Sequence, residues 1–330
     1  VTAKIETSED ASLETTDVKL PESGVIGFDE IVAKDGDKAK FRFKRLETYQ
    51  PGESWVLLYY GPSKTGKTYF AGTAGPRTLF INIGDGLETL MAPAFTTKYP
   101  ESKDMIVVDI REMNPDGVSE AFDFVGDAIH YALKEFPDKF DTIILDEATA
   151  FRKFAMNKSM ELNTEARTRG AARAKRTEDF VKPDIGDYGT EMQMIEWFLG
   201  TYIPICKEHK KHFVMLAHER QTFAKPAKIG DEPILKRVLP GFTGKTFPDQ
   251  IPQFFDDVWH SEVVGGGDAV VYRCRTAGSE SEIGGARHGG VFSVIEENPN
   301  FLKMLARIKS AQANPAWLKN QQRIESLKRR

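Results

Sequence analysis

The residues Gly61-Pro62-Ser63-Lys64-Thr65-Gly66-Lys67-Thr68 fit the pattern G-x-x-x-x-G-K-[ST] and directly follow the apolar run Trp55-Val56-Leu57-Leu58-Tyr59-Tyr60. An apolar run, a glycine-containing turn and helix-forming sequence, in that order, suit the holding of a phosphate chain. The two glycines let the backbone curl so that several N–H groups face one anion, and the helix opening through Lys67, Thr68 and Tyr69 adds the positive end of its dipole. Lys67 offers an ammonium group to the β- and γ-phosphates of a nucleoside triphosphate, and Thr68 offers a hydroxyl to Mg²⁺.

A second group of residues could act on a phosphate held there. Thr142-Ile143-Ile144-Leu145-Asp146-Glu147 is an apolar strand ending in two carboxylates, the form of a Walker B segment. Asp146 would hold Mg²⁺ through its water shell, and Glu147 would orient or deprotonate the attacking water. Glu147 also suits a plainer task, as an acid at a helix N-terminus. Asp85, in Phe80-Ile81-Asn82-Ile83-Gly84-Asp85-Gly86, is a competing water activator because it follows the next apolar run after the cradle. His218 closes Met215-Leu216-Ala217-His218, where a polar side chain could sense the terminal phosphate or serve structure alone.

Two stretches are basic enough to follow a nucleic-acid backbone. Arg167, Arg169, Arg173, Lys175 and Arg176 lie within 166–176 without an intervening acid; a solvated helix face is the alternative. Arg220, Lys225 and Lys228 begin a second stretch that continues through Lys236, Arg237 and Lys245, with Phe223 and Phe242 available for stacking on bases. No base-reading motif accompanies them, so binding would be weakly sequence-specific and sensitive to salt.

Short apolar runs at Thr78–Ile83, Met105–Asp109, Thr142–Asp146 and His212–His218 have the length of strands buried on both faces. Amphipathic helical spacing separates them at Val118–Phe136 and Tyr188–Glu208. This alternation predicts an α/β fold with a mainly parallel sheet flanked by helices. Beyond residue 254 the predicted strands Asp257–Val264, Ala269–Cys274 and Gly290–Ile295 are separated by glycine turns and read as antiparallel additions. Gly265-Gly266-Gly267 lacks the Lys-Thr ending of a phosphate loop and reads as a hairpin turn. Residues 1–23 read as a flexible acidic tail, 24–310 as one domain with its core at 50–295 and a basic insertion at about 157–187, and 311–330 as a basic C-terminal helix.

Apolar residues make up 40% and charged residues 28% of the 330, an ordinary globular mix that argues against wholesale disorder. No apolar run approaches the roughly 20 residues that span a bilayer, and the N-terminus lacks a secretion pattern, so an intracellular, cytoplasmic protein is expected. Cys206 and Cys274 have no metal-site spacing and fit a reduced compartment.

In the order Gly61–Thr68, Asp146, Ala217-His218-Glu219 and Leu239–Lys245 leading to Phe255-Asp256-Asp257-Val258, the chain resembles the RecA-like phage P-loop ATPases. These are AAA-type ATP-binding proteins related to phage single-strand annealing and recombination proteins. The resemblance spans about residues 50–295 and implies a RecA-like core that binds ATP and Mg²⁺, assembles head to tail as a ring or filament, and binds single-stranded DNA during annealing or strand exchange. It places one DNA loop at the 166–176 segment and another after His218. Two departures stand out. Many RecA-type proteins carry a catalytic Glu where this chain has Gly84-Asp85, leaving Asp85 and Glu147 both open for that role. Of the Lys-x-Arg pair that reaches a neighbour's phosphates in many members, Gly285-Ala286-Arg287 retains only the arginine, making Arg287 a candidate trans finger. An AAA-type remodelling or helicase-loading ATPase, favoured by the Asp146-Glu147 pair, and a weakly hydrolysing nucleotide-binding module are the alternatives.

Overall fold

The computed structural model describes residues 30–35, 38–44, 52–113, 120–170, 183–224, 234–266 and 270–313. The chain divides into two compact units, Val1–Pro51 and Gly52–Arg330. Within the first, β1 (Glu30–Asp35) and β2 (Lys38–Lys44) form an antiparallel pair. The expected N-terminal tail and most of the expected C-terminal helix lie outside the described residues.

The second unit opens with β3 (Val56–Gly61), α1 (Lys67–Gly72), β4 (Thr78–Asn82), α2 (Leu87–Met91) and α3 (Pro93–Lys98). It continues with β5 (Ile106–Asp109), α4 (Ile110–Met113), α5 (Glu120–Glu135), β6 (Thr142–Asp146), α6 (Ala148–Gly170) and α7 (Ile185–Glu208). Its later part comprises β7 (His212–Ala224), β8 (Ile234–Pro240), α8 (Phe247–Gln250), β9 (Asp257–Val264), β10 (Val271–Arg275), β11 (Gly285–Ala286), β12 (Ile295–Glu297) and α9 (Phe301–Gln312).

The main sheet has the order β12-β10-β9-β3-β7-β6-β4-β5, with β8 beside β7 and β11 beside β9. From β9 through β5 the neighbours are parallel, whereas β8, β10, β11 and β12 pair antiparallel. This is the mainly parallel α/β arrangement with antiparallel additions that the sequence predicts. Alternation along β3 explains the layers: Val56, Leu58 and Tyr60 join the core under α5, α6 and α7, while Leu57 and Tyr59 join the core under α1 and α9. Phe122, Phe151 and Phe198 pack together on the first face, with the Phe151 and Phe198 ring centroids 4.6 Å apart. Among the described residues no helix is long and apolar enough to cross a membrane.

Several expectations need correction. Gly290–Ile295 is not a strand: residues 290–294 lie outside any strand, and the short β12 begins at Ile295, where it pairs with β10. β7 runs past His218 to Ala224, because alternating side chains let its outer half form a ribbon with β8. α7 begins at Ile185, three residues before the apolar spacing starts, since Asp184 and Asp187 build a reciprocal N-terminal cap.

Candidate functional site

The parallel register brings the C-terminal ends of β3, β6 and β7 side by side, so that Gly61 is opposite His218 and Asp146 is opposite Leu216. The cradle leads from β3 into α1. Gly66 has φ +79, and a Cβ there would lie 2.7 Å from the Tyr272 ring, so the loop needs glycine for both conformation and space. Lys67 is 7% exposed, and its Nζ donates to the carbonyls of Gly61 at 3.1 Å and Pro62 at 2.5 Å. Burial lowers the Lys67 pKa to about 8, against the raising effect of Glu147, Asp146 and Glu219.

Thr68 Oγ1 donates to Asp146 Oδ2 at 2.8 Å. Burial raises the Asp146 pKa to about 6; the Thr68 hydrogen bond works in the opposite direction. The loop after β4 closes over this pair, and a Cβ at Gly86 would strike the Asp146 carboxylate and lie 3.2 Å from Thr68 Cγ2. A buried carboxylate beside a hydroxyl is a hard-oxygen donor set that fits Mg²⁺. Among the described residues there is no larger cluster of metal-ligating side chains.

Glu147 reaches two partners. Its Oε1 accepts the Ala150 N–H at 2.9 Å, capping α6, and its Oε2 meets His218 Nε2. Burial pushes the Glu147 pKa up, but the His218 contact and the Ala150 hydrogen bond outweigh burial and leave it lowered. The plainer helix-end role and the placement beside the cradle therefore coexist in one side chain. Thr149 Oγ1 accepts the His218 backbone N–H at 3.2 Å and locks the start of α6 to β7.

These groups line one cavity of about 600 Å³, together with Ser63, Lys64, Asp85 and Lys153. Thr65 is buried, and its hydroxyl bonds the Pro62 carbonyl and Ser261. Tyr69 stands on α1 beside Tyr272, with ring centroids 5.9 Å apart. Asp85 lies on the cavity wall, with its side chain 84% exposed and paired to Arg111. Tyr272 and Lys153 are cavity residues that sequence reasoning missed: one comes from a late antiparallel strand and the other from a helix read only for its basic end.

Arg287 is not brought to its own cradle. It bonds Asp256 Oδ1 at 2.8 Å, and Asp256 Oδ2 accepts the Val56 N–H at the beginning of β3, the opposite end from Gly61. Contact with a phosphate from Arg287 would require a second copy of the chain. Arg220 donates to the Gly244 carbonyl at 2.8 Å and holds the loop after β8. Phe242 is 1% exposed and packs near Phe247, so the expectation that it is available for stacking on bases is wrong; Phe223, at 52% exposure, remains open to solvent. Arg167 and Arg169 lie on α6, but their side chains are outside the described residues, as are Arg173, Lys175, Arg176, Lys225 and Lys228.

No curated protein matches the chain. Solved structures with partial likeness include the flagellar accessory protein FlaH from Methanocaldococcus jannaschii, at 10% identity and TM-score 0.36 over 68% of this chain and 78% of that chain. The RadB recombinase aligns at 14% identity and TM-score 0.34, covering 68% and 81%. The KaiC-like protein PH0186 from Pyrococcus horikoshii OT3 aligns at 12% identity and TM-score 0.36, covering 69% and 80%. The AAA_24 model, described as an AAA domain, matches residues 53–282, and the chain belongs to this family of nucleotide-binding P-loop domains.

Proposed function

We propose that the chain hydrolyses ATP with Mg²⁺ and uses nucleotide state to control an oligomer on single-stranded DNA, promoting annealing or strand exchange. The observation that carries this reading is the strand β7: it presents His218 to Glu147 and then continues as the ribbon that leads to Lys225 and Lys228. Lys67 and the backbone of 61–68 would hold the phosphates, while Thr68 and Asp146 would hold Mg²⁺. The metal, when bound, neutralises charge on the phosphate oxygens.

Glu147 is suited to orient water because its lowered pKa keeps it ionised at neutral pH, and His218 fixes its oxygen. In the reaction the water oxygen forms a bond to the γ-phosphorus as the bond to the β–γ bridging oxygen breaks. The water proton passes to Glu147, and the electron pair leaves with ADP. Asp85 is a weaker choice for this role because its exposed carboxylate is engaged by Arg111.

The test combines turnover with DNA binding. Lys67→Ala should abolish ATP turnover, and neutralising Arg167, Arg169, Arg173, Lys175 and Arg176 together should weaken binding to single-stranded DNA and flatten its salt dependence. Full turnover in the first variant would remove the site assignment; unchanged DNA affinity in the second would remove the basic arm. A second reading, an AAA-type remodelling or helicase-loading ATPase, is favoured by the family match and by the adjacent Asp146-Glu147 pair. Turnover stimulated by a protein partner but not by single-stranded DNA would support this alternative.

A further inference from the structure

The cavity contains more side-chain cations than the phosphate-loop motif specifies. His218 is committed to Glu147, Lys67 is pinned to two loop carbonyls, and Lys64 belongs to the phosphate loop itself. Lys153 lines the same cavity from α6, and among the described residues it has neither an ion pair nor a side-chain hydrogen bond.

Lys153 is exposed, and the rotation of the helix that carries it is fixed by the groups around it. Phe151, buried in the core, and Arg152, 3.1 Å from the buried Glu191, hold the opposite side of α6. Glu147 caps the helix, and Thr149 ties its first turn to β7. With that rotation locked, Thr149, Ala150 and Lys153 all face the cavity. Ala150 lies three residues before Lys153, a rise of about 4.5 Å, and its small side chain leaves room for the lysine stem. Lys153 therefore shares one cavity with Glu147 and with the loop that would hold the inner phosphates.

We propose that Lys153 is a second phosphate-directed cation, supplied by the same chain, which contacts the terminal phosphate of a bound nucleoside triphosphate. This assignment rests on the ATP-binding reading of the cavity. An ammonium placed there favours triphosphate over diphosphate and offsets the charge that develops during transfer of the terminal phosphoryl group. It gives the single chain part of the charge compensation otherwise sought from a neighbour's arginine.

The experiment compares Lys153→Ala and Lys153→Arg with the unaltered protein, measuring steady-state ATP turnover and calorimetric affinity for ADP and a non-hydrolysable ATP analogue with Mg²⁺. Lys153→Ala should lower kcat at least tenfold and shrink the preference for the analogue over ADP by a similar factor, with ADP affinity unchanged within twofold. Lys153→Arg should recover part of both effects. If kcat and the analogue preference both stay within twofold in Lys153→Ala, or if ADP affinity falls in parallel with analogue affinity, the assignment is overturned. If the unaltered protein binds the analogue but does not turn over ATP, the hydrolysis reading fails separately and analogue preference alone decides the role of Lys153. If the unaltered protein binds neither nucleotide, the assignment falls with the cavity reading.

Discussion

Glu147 and His218 are joined so that each oxygen of one carboxylate has its own partner: Oε2 meets the His218 ring, while Oε1 caps α6 at Ala150. Removal of the ring leaves burial as the dominant influence on Glu147 and moves its pKa upward. His218→Ala should therefore shift the acid limb of the kcat/KM pH profile to higher pH and lower turnover by roughly 10- to 100-fold. An unmoved acid limb would dissociate His218 from the carboxylate's function.

The cradle also carries a stability cost that depends on pH. Asp146 titrates near 6 in the folded chain against an ordinary value of 3.8, so the folded state holds more protons between these values and stability falls as pH rises through them. Lys67 titrates near 8 against 10.5; the unfolded state holds more protons across that interval, and stability rises with pH there. At pH 7 and without nucleotide, Asp146→Asn and Lys67→Met should each raise stability by about 1–3 kcal/mol in urea unfolding. Both should lose Mg²⁺-dependent nucleotide binding. Destabilisation by both changes would contradict this account of the buried charges.

Gly66 and Tyr272 form a close contact that can be tested as a pair. Gly66→Ala introduces a side chain at φ +79 and drives its Cβ toward the ring. The backbone component should cost about 1–2 kcal/mol, and nucleotide affinity should fall with it. Adding Tyr272→Ala removes the collision but retains the φ strain, so recovery should be partial. Thermal unfolding and calorimetry separate the effects; full recovery would place the entire cost in side-chain packing.

A buried junction fixes the loop that follows β8. Glu191 accepts the Thr243 hydroxyl at 2.7 Å and lies against Arg152. Glu191→Ala should destabilise the protein by about 1–3 kcal/mol, because it leaves the Thr243 hydroxyl without its acceptor and the Arg152 guanidinium without its ion-pair partner. Amide exchange should accelerate in 241–246, and unchanged exchange there would show that the loop is held by Arg220 and packing instead.

The strands that build the cradle were legible because Trp55–Tyr60, Thr78–Ile83 and Thr142–Asp146 are apolar runs of strand length, and the Gly61–Thr68 spacing has a specific backbone purpose. Tyr272 carried no such signal, since its approach to Gly66 depends on the pairing of β10 with β9, far along the chain. Phe242 was misread from its glycine- and lysine-rich surroundings, although the local turn folds its ring inward. The extension of β7 was hidden in Glu219–Ala224 because half-exposed ribbon strands lack the continuous apolar run that marks a central strand.

β7 spans 13 residues without a break, its first half within the parallel sheet and its second half in the ribbon with β8. The one irregularity in its pairing, between Thr222 and Phe223, lies in the outer half, beyond the end that meets Glu147. The backbone that aims the imidazole is thus the same extended strand that forms the outer ribbon.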